Sequence, residues 1–102
     1  MTDASPKPRP AYIYVEMTIN DPERFKDYTK LLAPAVQAAG GRYLVAGVRP
    51  EVVEGEFEAH RVVIIEFGSV ERAQNFYHSA TYQAAKQKRQ GAADFKLLLL
   101  EG

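Results

Sequence analysis

The sequence predicts an α+β fold of the ferredoxin-like kind, in which the order βαββαβ builds a four-stranded antiparallel sheet with both helices on one face. Three observations lead there. Residues 11–19 alternate apolar and polar side chains as a strand does; residues 21–39 and 69–90 carry apolar side chains at helical spacing; and residues 62–65 and 97–100 are short, wholly apolar runs. A chain of 102 residues, 46% hydrophobic and 25% charged, has the size and composition of one ordinary domain.

In the first strand, residues 11–19, Tyr12, Tyr14, Glu16 and Thr18 point one way and Ile13, Val15, Met17 and Ile19 the other. Asn20, Asp21 and Pro22 end it. Asp21 is placed to cap a helix, with Pro22 in the first helical position and Glu23 in the first turn, because a carboxylate accepts an orphan N–H and proline has none to satisfy. Phe25, Tyr28, Leu32, Ala35 and Ala39 then recur at steps of three and four. Pro34 lacks the N–H owed to the carbonyl of Lys30, so a kink or a restart is expected there. Gly40 and Gly41 supply a left-handed exit.

Residues 42–47 read as the second strand, which Pro50 breaks; residues 51–54 are expected to continue it as an edge, and Gly55 to turn the chain. The third strand covers about residues 60–67. Ser69 can cap the next helix, with Glu71 near its positive end and Ala73, Phe76, Tyr77 and Ala80 on one stripe. An interruption is expected around Ala80, with a restart at Thr81 that carries Tyr82, Ala85 and Arg89 and stops at Gly91. The last strand is residues 95–101, and residues 1–10, with Pro6, Pro8 and Pro10, are expected to be a disordered tail outside the folded domain of residues 11–102.

Two helices cover only one face of such a sheet, yet the runs at 62–65 and 97–100 offer apolar side chains to both. A second copy packed sheet against sheet would cover the other face, so a homodimer with a barrel-like interior is expected.

Thirteen basic and thirteen acidic residues leave a net charge of zero, so nothing draws the whole chain to nucleic acid or an anionic membrane. No cysteine is present, which excludes thiolate metal centres, redox disulfides and thiol nucleophiles. His60 and His78 are the only histidines and sit at no metal-ligand spacing, and Gly40-Gly41 ends a helix instead of cradling a phosphate; neither metal nor cofactor is expected. No run approaches the length of a membrane span and no signal-like segment opens the chain, so a cytoplasmic location is expected.

The candidate chemistry lies on the face away from the helices. With Ile13, Val15 and Met17 packed inward, Tyr14 and Glu16 face outward, as do Val62, Ile64 and Glu66 on the neighbouring strand. Glu16 and Glu66 are expected to border one cavity beside Tyr14, where an apolar setting would raise a carboxyl pKa toward that of a general acid or base. The competing reading pairs each carboxylate with an arginine such as Arg42 or Arg61. A second set, Tyr77, His78, Tyr82 and Arg89, is placed to close a pocket mouth, with a phenol for a directional hydrogen bond and a guanidinium to hold a carboxylate. Its competitor makes the tyrosines half-buried core residues.

From Ala11 to Gly102 the chain resembles the domain-of-unknown-function family 1330, within the dimeric α+β barrel superfamily. The resemblance rests on Asp21 and Tyr28, the pair Gly40 and Gly41, Gly55, the stretch Arg61-Val62-Val63-Ile64-Ile65-Glu66-Phe67, and Ala73, Tyr77, Ser79, Tyr82 and Arg89. The chain departs from the family pattern at Gly68 and Thr81. The resemblance implies the fold and the dimer, while the superfamily includes small monooxygenases and isomerases that work without a protein-bound metal. Two functions follow as expectations. One is a small organic molecule bound between sheet and helices in the dimer, in its enzymatic form a cofactor-independent reaction using Tyr14, Glu16 and Glu66, with Arg61, Tyr82, Arg89 and His78 as substrate contacts. The other is a non-catalytic dimerisation or interaction module.

Overall fold

A computed structural model of the protein describes residues 9–102. Most of the expected N-terminal tail, residues 1–10, lies outside the described residues. The elements are β1 (Ala11–Ile19), α1 (Pro22–Ala38), β2 (Arg42–Val48), β3 (Arg61–Phe67), α2 (Val70–His78), α3 (Ala80–Lys88) and β4 (Ala93–Glu101). The four strands form one antiparallel sheet in the order β2-β3-β1-β4, the ferredoxin-like arrangement.

Strand alternation decides which side chains meet the helices. Ile13, Val15 and Met17 of β1 and Val63, Ile65 and Phe67 of β3 are buried against Phe25, Tyr28, Leu32 and Val36 of α1 and Ala73, Phe76, Tyr82 and Ala85 of α2 and α3. Each large apolar side chain so buried contributes about 1.5–3 kcal/mol. The opposite face has no helix over it. Across its middle the register sets Val45, Ile64, Tyr14 and Leu98 in a row, with Leu98 52% exposed.

The caps act as the residue types require. The Asp21 carboxylate accepts the Arg24 N–H at 3.2 Å, and α1 leaves through hydrogen bonds from Gly40 N to Gln37 O and Gly41 N to Val36 O, the two bonds of a Schellman ending. Gly40 takes the left-handed conformation at φ 76°. Gly41 serves a different purpose: a Cβ there would stand 2.8 Å from Phe67 Cε1 and 2.9 Å from Val36 Cγ1, so only glycine lets the chain pass between them.

Three local expectations are corrected. α1 continues through Pro34 without restarting, because Pro34 and Lys30 lie on the exposed side, where water can take the freed carbonyl. Residues 51–54 do not extend β2; they belong to an irregular connection, since Gly47 at φ 71° and two register shifts turn β2 away from its neighbour before Pro50. The interruption expected around Ala80 is present, at Ser79, with the restart at Ala80. There Ser79 Oγ donates to Phe76 O at 2.7 Å and accepts from Tyr82 N at 3.1 Å, closing α2 and opening α3 with one side chain. β4 also begins two residues earlier than expected, at Ala93.

Candidate functional site

At one end of the sheet the chain passes from α3 into β4 through Gly91, which takes φ 76°. Asn20 N and Asp21 N both donate to Ala92 O, at 2.7 and 3.0 Å, and Arg24 Nη2 donates to Gln90 O at 2.6 Å, so this corner is tied to the ends of β1 and α1. Arg89 is carried inward by it. Only 9% of the residue is exposed. Its guanidinium lies 3.7 Å from the centre of the Phe95 ring and 5.4 Å from that of Tyr28, and Nη2 donates to the Tyr82 hydroxyl at 3.3 Å. The Tyr82 and Tyr28 hydroxyls share a hydrogen bond of 3.2 Å.

Arg89 Nε is sealed from solvent and has no acceptor. The ion pairs among the described residues join Lys26 to Glu23 and Arg42 to Glu66, so none supplies Arg89 with a counter-ion. Aromatic faces offset part of the cost of burying this charge, at about 0.5–2 kcal/mol each. A carboxylate would do more, because a charge-assisted pair in a dry setting is strong and fork-shaped.

Beside Arg89 opens a cleft of about 750 Å³. Its walls include Glu16, Thr18, Asp94 and Lys96 from β1 and β4, and Glu56 and Glu58 from the irregular connection. His60 N donates to Met17 O at 3.0 Å, which anchors that connection along β1. The middle of the layer between sheet and helices is filled apart from a void of about 20 Å³, lined by apolar side chains with Tyr28 and Tyr82, room for about one water; at its margin a groove of about 320 Å³ opens between β4 and α2. The roomiest of these openings is the one at the end of the layer, where the cleft meets Arg89.

The other site residues read from the sequence divide into separate places. Tyr14 donates to Glu16 Oε2 at 3.2 Å, two residues along the same face. Burial first, then the Glu16 charge and the hydrogen bond to it, hold the Tyr14 phenol above its ordinary pKa. Within one chain Glu16 lines the cleft and Glu66 does not. Glu66 stands opposite Tyr12 and Glu16 opposite Val62, four positions apart along β1 or roughly 13 Å at the rise of a strand. Glu66 instead accepts from Arg42 Nη2 at 2.7 Å, the arginine pairing weighed against it. Arg61 donates to Gly47 O at 3.0 Å and supports the bend in β2. His78 is exposed, edge-on to Tyr77, on a groove beside Leu97 and Leu99 away from Arg89. Tyr82, only 1% exposed, does not close a pocket mouth: it is a core side chain, deeper than the competing reading had it, and its hydroxyl accepts from Arg89.

Tyr28 and Phe95 complete the Arg89 environment, although neither stands out as a site residue in the sequence. An apolar stripe with one tyrosine reads as core, and only the partner of its hydroxyl says otherwise. Burial foremost, and then the Tyr82 hydroxyl, push the Tyr28 phenol far above its ordinary pKa, with the Arg89 charge pulling the other way. The folded protein thus holds this proton where the unfolded chain releases it. Stability that is full below about pH 10 must fall as pH rises beyond it, by about 1.4 kcal/mol per unit for this group. Urea midpoints from about pH 9 to about pH 11 should show that fall in the parent and a shallower one in Tyr28→Phe; equal slopes would contradict the assignment.

Among the described residues no group of three or more acidic or histidine side chains is placed to hold a metal ion, and no helix is long and apolar enough to cross a membrane. No curated protein matches the sequence. Solved structures do match in fold. A protein of unknown function from Rhodopseudomonas palustris, RPA0582, is 20% identical, with a TM-score of 0.75 over 92% of this chain and 82% of its own. HapK from Hahella chejuensis is 13% identical, with a TM-score of 0.64 over 90% of this chain and 91% of its own. SnoaB from Streptomyces nogalater, described as a cofactor-independent oxygenase, is 8% identical, with a TM-score of 0.55 over 92% and 93%. At these identities the likeness is one of fold. The sequence itself goes further: residues 10–102 match the family described as a domain of unknown function, DUF1330, and the protein belongs to that family.

Proposed function

We propose that the protein works as a homodimer that holds a small organic acid at Arg89, at the end of the layer between sheet and helices. The observation that carries this reading is the buried Arg89 guanidinium, which has no acidic partner and borders a cleft of about 750 Å³. A charge kept dry without a counter-ion costs stability, and an anionic ligand offsets that cost on binding. Of the catalytic set read from the sequence, Glu16 with Tyr14 behind it lies on the cleft, whereas Glu66 serves the Arg42 ion pair. One structural relative is described as a cofactor-independent oxygenase, and a reaction on the bound acid without a protein-bound metal is the enzymatic form of this reading.

The dimer is supported by the helix-free face, where Leu98 and Leu100 are about half exposed beside Tyr14 and Ile64. That apolar surface is more than a soluble monomer ordinarily leaves uncovered. Light scattering at micromolar concentration should return twice the 11.4 kDa of one chain, and a monodisperse mass of one chain overturns the dimer. Thermal shift against small carboxylates, phenols and lactones tests the ligand. Carboxylates should raise the melting temperature, since a ligand at about a hundredfold its Kd adds about 2.7 kcal/mol to the folded state. A flat response across the panel from a dimeric protein would favour the interaction module instead.

A further inference from the structure

The cleft at Arg89 is not uniformly basic. Among the described residues, Glu16, Glu56, Glu58 and Asp94 stand on its walls against the cations Lys96 and Arg89, four carboxylates to two positive groups. Their settings differ. Arg89 is more than nine-tenths buried with Nε unpartnered, while Glu56, Glu58 and Asp94 are exposed. The buried end of the cleft thus lacks a negative charge, and its outer wall carries a surplus of them.

Resting on the reading of Arg89 as an acid-binding residue, we infer that the natural ligand is a small zwitterion, with a carboxylate on Arg89 and an ammonium group among the wall carboxylates. A simple acid gains the guanidinium but must pass a wall of like charge. A simple amine gains the wall but leaves the guanidinium alone and adds a second positive charge near it. Only a molecule with both groups satisfies both ends, and like-charge contacts reject the others, as specificity built on repulsion requires. Phe95, stacked on the guanidinium, adds an apolar surface for the body of the molecule.

Calorimetry with two matched sets tests this: phenylalanine, 3-phenylpropanoate and 2-phenylethylamine, and leucine, 4-methylpentanoate and 3-methylbutylamine. In at least one set the amino acid should bind about tenfold more tightly than its acid, with the amine weakest. Removing wall charge with Glu56→Gln and Glu58→Gln together, both at exposed positions, should narrow that ratio to about threefold or less while the acid binds at least as well as before. An acid that binds the parent as tightly as its amino acid, and depends on Arg89, overturns the zwitterion and leaves acid binding standing. Amino-acid preference that survives the double substitution overturns the role of the two glutamates and with it this inference. Binding of neither acid nor amino acid up to about 10 mM overturns the inference together with the reading beneath it.

Discussion

Arg89→Met is expected to fold, with a stability equal to the parent or about 1 kcal/mol above it, and to bind small carboxylates about 100-fold more weakly. The two halves of this result have one cause. In the folded protein the guanidinium is buried against Phe95 and Tyr28 without a counter-ion, so methionine removes a desolvation cost while filling similar space with a flexible apolar chain. What is lost are two cation–π contacts of about 0.5–2 kcal/mol each, the longer one to Tyr28 the weaker, and one hydrogen bond to Tyr82, whose hydroxyl keeps Tyr28 as its partner. The ligand, by contrast, loses a charge-assisted pair worth about 1.5–3 kcal/mol. Arg89→Lys separates charge from shape: it keeps the cation and loses the fork, so binding should fall between the two. Urea denaturation and calorimetry on the same samples decide the matter. A loss of more than about 3 kcal/mol in stability with unchanged affinity would make Arg89 a structural residue and remove the site.

Phe67→Ala is expected to cost about 3–5 kcal/mol, a large part of the stability of a domain this size. Phe67 is 1% exposed, its ring 5.1 Å from that of Phe76, and its edge fills the space that Gly41 leaves open. Gly41→Ala should cost about 1–3 kcal/mol by overpacking, because the new methyl group meets Phe67 and Val36 at distances below contact. The pair should not add. Once the ring is gone, the Cβ at position 41 enters the cavity instead of a wall, so the double variant should be less destabilised than the sum of the two by about 1 kcal/mol or more. Denaturant midpoints of the four proteins measure this coupling, and strict additivity would show that the ring does not press on residue 41.

The sheet and the core were legible before any coordinates because strand alternation is a local rule. Once Ile13, Val15 and Met17 are placed inward, Tyr14 and Glu16 must face away, and the structure has them so. The same holds for capping by Asp21 and Ser69 and for the exit at Gly40, where the chemistry lies within a few residues. Residues 51–54 failed as a strand for the complementary reason. Their composition allows an edge strand, but a strand needs a partner, and the bends at the end of β2 carry the chain away from one.

The candidate site divides along the same line. Tyr82 and Arg89 were legible as a pair because they lie seven residues apart, two turns along one helix face, whereas Tyr28 and Phe95 join them from α1 and β4. By itself the sequence determined the order of elements, the inward face of each strand and the presence of an arginine at the end of a helix. Only the tertiary structure decided that this arginine is dry and without an acidic partner, that Glu66 belongs to Arg42, and that Glu16 stands roughly 13 Å away along β1. The reason is physical: periodicity assigns a side chain to a face, but a buried charge and its counter-ion are a matter of distance in space, which packing sets between segments far apart in the chain.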